Sequence, residues 1–340
     1  FEAGIQMEKT TLISEMQKFH FGSKIFCSDG EEGLLTHVGF AENDSRRVNA
    51  IGIRLGRLFG RTVYLPFTAV VRASGEGVTL NITCAELTAA SSTVPGGILF
   101  DQRSTVQRAQ GSPGSGLVLI AVEPADGELS YIVARNLRPG QDTLLRQEYI
   151  QKLQPGRMLV AIEDEDLQAL PPYRSDAELQ REVEDILFDL TPLHVDFRGM
   201  QVRVLDSVLY LDGNISSSLR GEMVQDQAQG VQGLLEIENR LVGDDTLAGD
   251  LALALARDLR TGNLPIGVYP KLGTVRLSGS VHTAEQKATA GEIASSFPGV
   301  RSVINDLVIN PAAAMLHVMS AAEKGRAEDI VPGKYIRHTK

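Results

Sequence analysis

The chain has 340 residues, of which 43% are hydrophobic, 22% charged and 5% aromatic, and its net charge is −10. At about 100–200 residues per domain that length holds two to four domains, and the apolar fraction supports packed cores and excludes a disordered polyelectrolyte. Two cysteines exclude a disulfide-built scaffold, and no uncharged apolar run reaches the roughly 18 residues of a membrane-spanning helix.

The chain begins with Phe1, so Met7 is a candidate native start, and a signal cleaved upstream is compatible with the sequence. A pilin-like start is excluded, because Glu2, Glu8, Lys9, Glu15 and Lys18 interrupt the opening stretch. Leu12, Ile13, Met16 and Phe19 fall on one helical stripe and predict an N-terminal arm over residues 1–19.

The next segment repeats itself. Asn49-Ala50-Ile51-Gly52-Ile53-Arg54 parallels Ser130-Tyr131-Ile132-Val133-Ala134-Arg135, and Val78, Leu80, Ile82 and Leu87 parallel Met158, Val160, Ile162 and Leu167. The offset is 80 or 81 residues, with short alternating strands between Gly, Asn, Asp and Pro turns. That pattern predicts two small barrels, over 20–88 and 97–170. The stretch Ile51 to Val71, with Gly56-Arg57-Leu58-Phe59-Gly60-Arg61-Thr62-Val63-Tyr64-Leu65-Pro66, resembles the PRC-barrel family. Residues 88–115 are expected to hold a linker and the first strand of the second barrel.

A second repeat follows at a constant offset of 66 residues. Leu211, Gly213, Ile215, Ala228, Gly233, Ile237, Asn239, Leu241 and Val242 match Leu277, Gly279, Val281, Ala294, Gly299, Val303, Asn305, Leu307 and Val308. Helical periodicity is predicted over 176–190 (Leu179, Val183, Ile186, Leu187) and over 246–259 (Leu247, Leu251, Ala254, Leu255). Each unit reads helix, strand, strand, helix, strand, and Ile237 and Val303 are expected to be equivalent buried strand positions. The run Leu277-Ser278-Gly279-Ser280-Val281 and the segment Pro298 to Val308 resemble the BON domain family, covering about 174–243 and 245–310. The first copy departs from the pattern, with Asp206-Ser207 where an apolar-Gly turn is expected. The fold class is therefore α+β and multidomain: two small β-barrels followed by two αββαβ helix-on-sheet modules. Gly213, Gly233, Gly279 and Gly299 are expected to serve backbone geometry.

Residues 311–340 form an expected C-terminal helix and tail. Asn310 can cap that helix, Met315, Leu316 and Met319 give it an apolar face, and residues 324–340 carry a net charge of +3. Met16, Phe19, Met315 and Met319 are the expected assembly contacts.

No catalytic constellation is present. The six histidines are scattered, without metal-ligand spacing to each other or to Cys27 and Cys84, which are expected as small apolar residues on strands. Gly56 to Thr62 is one residue short of a Walker loop, has Arg in place of Lys and runs into a strand, so a hairpin turn is expected. Glu163-Asp164-Glu165-Asp166 reads as a solvated strand end rather than a cation site. No enzyme activity, metal or cofactor is expected. The leading reading is a non-enzymatic scaffold or binding protein using its repeated domains for protein or membrane-surface association. The BON resemblance implies an anionic phospholipid surface as partner. Alternatives are a homo-oligomer or filament and an RNA-processing factor using the barrel. The acidic charge argues against nucleic acid. The expected location is cytoplasmic or peripheral to a membrane.

Overall fold

The computed structural model describes residues 11–42, 46–56, 60–109, 114–190 and 193–312. It is a mixed α/β structure, richer in strands than in helices, with several separate sheets. The chain divides into two compact units. Among the described residues, one runs to Asp212 and includes Arg220–Leu241; the other joins Gly213–Leu219 to residues 242–312.

In the first unit, β1 (Gln17–His20), β2 (Lys24–Cys27), β3 (Gly30–Phe40), β4 (Val48–Arg54), β5 (Thr62–Pro66), β6 (Val70–Ser74) and β7 (Gly77–Leu80) precede the short helix α1 (Cys84–Ala89). The same order then recurs. It comprises β8 (Ile98–Asp101), β9 (Thr105–Arg108), β10 (Ser115–Val122), β11 (Leu129–Arg138), β12 (Gln141–Arg146), β13 (Ile150–Gln154) and β14 (Arg157–Val160), then α2 (Asp164–Ala169) and β15 (Pro172–Tyr173). One sheet is ordered β5-β4-β3-β2-β7-β6, the other β12-β11-β10-β9-β14-β13 with β15 beside β12. The orders match strand for strand, and in each sheet one pair, β2 with β7 or β9 with β14, is parallel.

The leading strands are exchanged. β8 adds to β3, placing Phe100 opposite Val38, while β1 adds to β10, placing Phe19 opposite Ile120. All four side chains are fully buried. The exchange corrects the expected place of residues 88–115, whose strand β8 joins the sheet of the preceding repeat. It also merges the cores. One apolar cluster runs from Phe19 to Leu167 through both sheets, with the Phe40 and Phe100 rings meeting edge-to-face at 5.5 Å. Two barrels with separate cores are therefore not what forms.

Other local expectations change as well. Leu12 to Phe19 is not a helix: a single 3-10 turn (Ile13–Glu15) leads directly into β1. Cys84 opens α1 instead of lying on a strand, and Glu163-Asp164-Glu165-Asp166 starts α2, where acidic groups favour the helix N-terminus. Part of the Gly56 to Thr62 turn, and Met315, Leu316, Met319 and the basic tail, lie outside the described residues.

The helix-bearing segments follow. α3 (Asp176–Asp189), β16 (Met200–Leu205), β17 (Val208–Ile215), α4 (Ser218–Ala228) and β18 (Glu236–Gly243) come first, with sheet order β16-β17-β18. α5 (Asp244–Arg257), β19 (Ile266–Lys271), β20 (Thr274–Val281), α6 (Ala284–Ser296), β21 (Ser302–Asn305) and β22 (Val308–Ile309) are the last elements among the described residues, with sheet order β19-β20-β21. The 3.6-residue period buries Leu179, Val183 and Leu187 on α3 and Leu247, Leu251 and Leu255 on α5. Thr283 and Gln286 cap α6 reciprocally, each side chain accepting from the other's backbone N–H. Ile237 and Val303 are half-buried rather than fully enclosed.

Candidate functional site

β20 is the central strand of the second unit's sheet, antiparallel to β19 and parallel to β21. Its Val275, Leu277 and Val281 pack in one core with Leu247, Leu251 and Leu255 of α5 and Ala290 and Ala294 of α6. Alternate strand residues point to the opposite face. The register sets Tyr269, Arg276 and Ile304 in one cross-strand row there, with Lys271, Thr274 and Ser302 in the next. This face is open. Tyr269 is 60% exposed and Ile304 40% exposed, and Arg276 Nε lies 3.5 Å from the Asp306 carboxylate. Val308 of β22, paired with Ser280 on the same side as Arg276, is exposed as well. The result is an aromatic ring, aliphatic side chains and two cations on one sheet surface.

Sixty-six residues earlier the corresponding row is Arg203, Tyr210 and Glu238, and its centre is covered although Arg203 stays exposed at its edge. Tyr210 is buried, with the guanidinium groups of Arg203 and Arg240 at 5.0 and 5.3 Å from its ring centre. Ser14 lies against β18: its single hydroxyl proton is shared between the Glu236 and Glu238 carboxylates, at 2.9 and 3.0 Å, and its backbone N–H donates to Glu236. A cavity of about 640 Å³ beside this contact is lined by Lys18, Arg72, Arg203 and Tyr210.

The Asp206-Ser207 departure has a structural use. Both residues adopt positive φ in the β16–β17 turn, and their N–H groups donate to the Asp176 carboxylate at the start of α3. Leu272 and Gly273 repeat that turn on Asp244 in the second unit. The Asp206 side chain then accepts from Gly75 N–H at 2.9 Å and meets His20 Nε2 at 2.6 Å. Burial pushes its carboxyl upward, but the His20 hydrogen bond and charge, Gly75 N–H and Lys18 outweigh burial and hold it below the usual carboxylate range.

The residues singled out from sequence fall in different places. Gly213, Gly233, Gly279 and Gly299 all have positive φ. Phe19, expected at an assembly contact, is instead enclosed in the chain's own core, because β1 completes a sheet. Met16 is half-buried against the outer side of β10 and β11. Sequence spacing missed one cluster. Cys27, Asp29 and Cys84 bring a sulfur, a carboxylate oxygen and a sulfur within 4.8 Å of one another. Three donors fall short of the four in a closed tetrahedral zinc site. Burial, followed by the hydrogen bond with Cys84, pushes the Cys27 thiol up to about 12.

No helix among the described residues is long and apolar enough to cross a membrane. The BON domain family matches residues 243–311. Osmotically-inducible protein Y of Escherichia coli (strain K12) is 24% identical over 157 residues, 42% of this chain and 77% of that protein. Two solved structures of CdsD, a structural protein of the type III secretion system of Chlamydia trachomatis, are similar at TM-scores of 0.32 and 0.33 with 15% and 16% identity. They cover 39% and 45% of this chain, which spans 61% of the first solved chain and 69% of the second. The open sheet face thus lies in a BON domain, at residues 243–311.

Proposed function

We propose that this chain is a non-enzymatic association protein whose BON domain applies the Tyr269–Arg276–Ile304 face to an anionic phospholipid surface. One observation carries the reading: at the corresponding face Tyr210 is buried under Arg203 and Arg240 and Glu238 is hydrogen-bonded to Ser14, whereas Tyr269, Arg276 and Ile304 of the BON face are all exposed. Its chemistry suits a membrane interface. A tyrosine ring and aliphatic groups enter the headgroup boundary, while Lys271 and Arg276 meet phosphates.

The segment around Ser14 does not suit this face in a second copy. Its acceptors Glu236 and Glu238 correspond to Ser302 and Ile304. That replacement removes two carboxylates and favours an anionic, partly apolar occupant over the chain's own arm. In this reading residues 174–243 form a second BON-type module whose face is spent on internal docking. Residues 20–88 and 97–170, with exchanged leading strands, are two PRC-barrel-type repeats that act as a base.

Vesicle cosedimentation tests the proposal. The full chain should sediment with phosphatidylglycerol vesicles at low salt, weakly with phosphatidylcholine, and be released as salt rises. Self-association without lipid dependence, measured by light scattering, would favour the homo-oligomer instead.

A further inference from the structure

The chain's only two cysteines, Cys27 and Cys84, are far apart in sequence and adjacent in the fold. Cys27 is the last residue of β2 and is buried; Cys84 is the first residue of α1 and is half-buried. Asp29 Oδ1 accepts from Cys84 N–H at 2.7 Å, fixing the start of α1 against the β2–β3 turn.

The second repeat shows what the fold does with this pair of positions. The last residue of β9 is Arg108 and the first residue of α2 is Asp164, and the two form an ion pair. In both repeats the end of one strand therefore meets the start of the following helix. One repeat bonds them by charge; the other places two thiols there.

We infer that Cys27 and Cys84 form a modification site, an intramolecular disulfide that ties β2 to α1 where the other repeat uses the Arg108–Asp164 pair. The oxidant is a disulfide, either small-molecule or carried by an oxidoreductase. Cys84, the more exposed thiol, attacks it as the thiolate, releases one thiol and is left as a mixed disulfide. The Cys27 thiolate then attacks the Cys84 sulfur and releases the second thiol. The two cysteines lose two protons and two electrons, and the oxidant's S–S bond becomes two thiols. Asp29 acts as a positioning residue. The new bond closes a long loop within the shared core of the repeats, so it stabilises the folded state relative to the unfolded chain.

The test is incubation of the reduced full chain with oxidised glutathione, read by intact mass, alkylation and peptide mapping. The expected product is two hydrogens lighter, resists alkylation at both cysteines, yields a linked Cys27–Cys84 peptide and melts at a higher temperature. Dithiothreitol should reverse all four changes, and the reaction should accelerate with rising pH as the thiols ionise. Persistent alkylation of both cysteines, or stable glutathione adducts on each without a linked peptide, overturns the proposal. So does protection that a chelator removes and a reductant does not, which would assign the cluster to a metal ion.

Discussion

Phe19 and Phe100 hold the same place in two different sheets, each in the sheet built mainly by the other repeat. Phe19 faces Ile120, Phe100 faces Val38, and all four lie in one apolar cluster. Folding of either repeat therefore depends on a strand that belongs in sequence to the other.

Truncating Phe19 to alanine should cost about 3–5 kcal/mol, as for a fully buried aromatic ring. Hydrogen exchange should then speed up in both repeats, 17–88 and 98–170, because they share a cooperative unit. Loss of protection confined to the sheet containing β10 would contradict the shared core.

Asp206 gives the first unit an acid limit. Its carboxyl sits below the ordinary value of about 3.9. The stabilisation is complete above the unfolded-state value and is lost as pH falls through the lower folded-state value. Thermal melts between neutral and acidic pH should show this loss in the native chain and a flatter acid limb in Asp206→Asn. Parallel pH profiles would remove Asp206 from the account. Asp206→Ala should cost about 1–3 kcal/mol at neutral pH, since it strands the Gly75 N–H and His20.

Two glycines of the second unit should respond oppositely to alanine. Gly279 has φ +126°, and a Cβ there would sit 1.9 Å from Pro265 O, so Gly279→Ala should destabilise by about 2 kcal/mol or more. Gly249 lies in α5 with open space around it, and Gly249→Ala should stabilise by about 0.5–1 kcal/mol. Chemical denaturation of the two variants reads both signs, and equal shifts would contradict the strand backbone geometry at Gly279.

Periodicity located the two long helices α3 and α5 well. The predicted span 176–190 is observed as Asp176–Asp189, because Leu179, Val183 and Leu187 recur at the spacing of one buried stripe. The exchange of β1 and β8 was not legible, since an alternating strand reads the same whichever sheet receives it. Phe19 was misplaced for a related reason. Leu12, Ile13, Met16 and Phe19 fit a helical stripe, but Gln17, Lys18 and Phe19 are buried consecutively as a strand enclosed on both faces. The Cys27–Cys84 meeting had no sequence signal, because its partners come together only when α1 packs beside the β2–β3 turn. The open BON face was legible only in part. Alternation marks Arg276 as facing away from the core, but the register that sets Tyr269 and Ile304 beside it comes from β19 and β21 pairing.

The most direct measurement compares Arg276→Glu with Arg203→Glu in cosedimentation with phosphatidylglycerol vesicles, with circular dichroism confirming that each variant is folded. Arg276 lies on the open face, whereas Arg203 caps the covered Tyr210 ring. The account predicts that Arg276→Glu lowers the bound fraction at least several-fold, and Tyr269→Ser lowers it further, while Arg203→Glu leaves it unchanged. Equal binding by the Arg276→Glu variant and the native chain, or a loss confined to Arg203→Glu, would contradict the BON face as the membrane-binding surface.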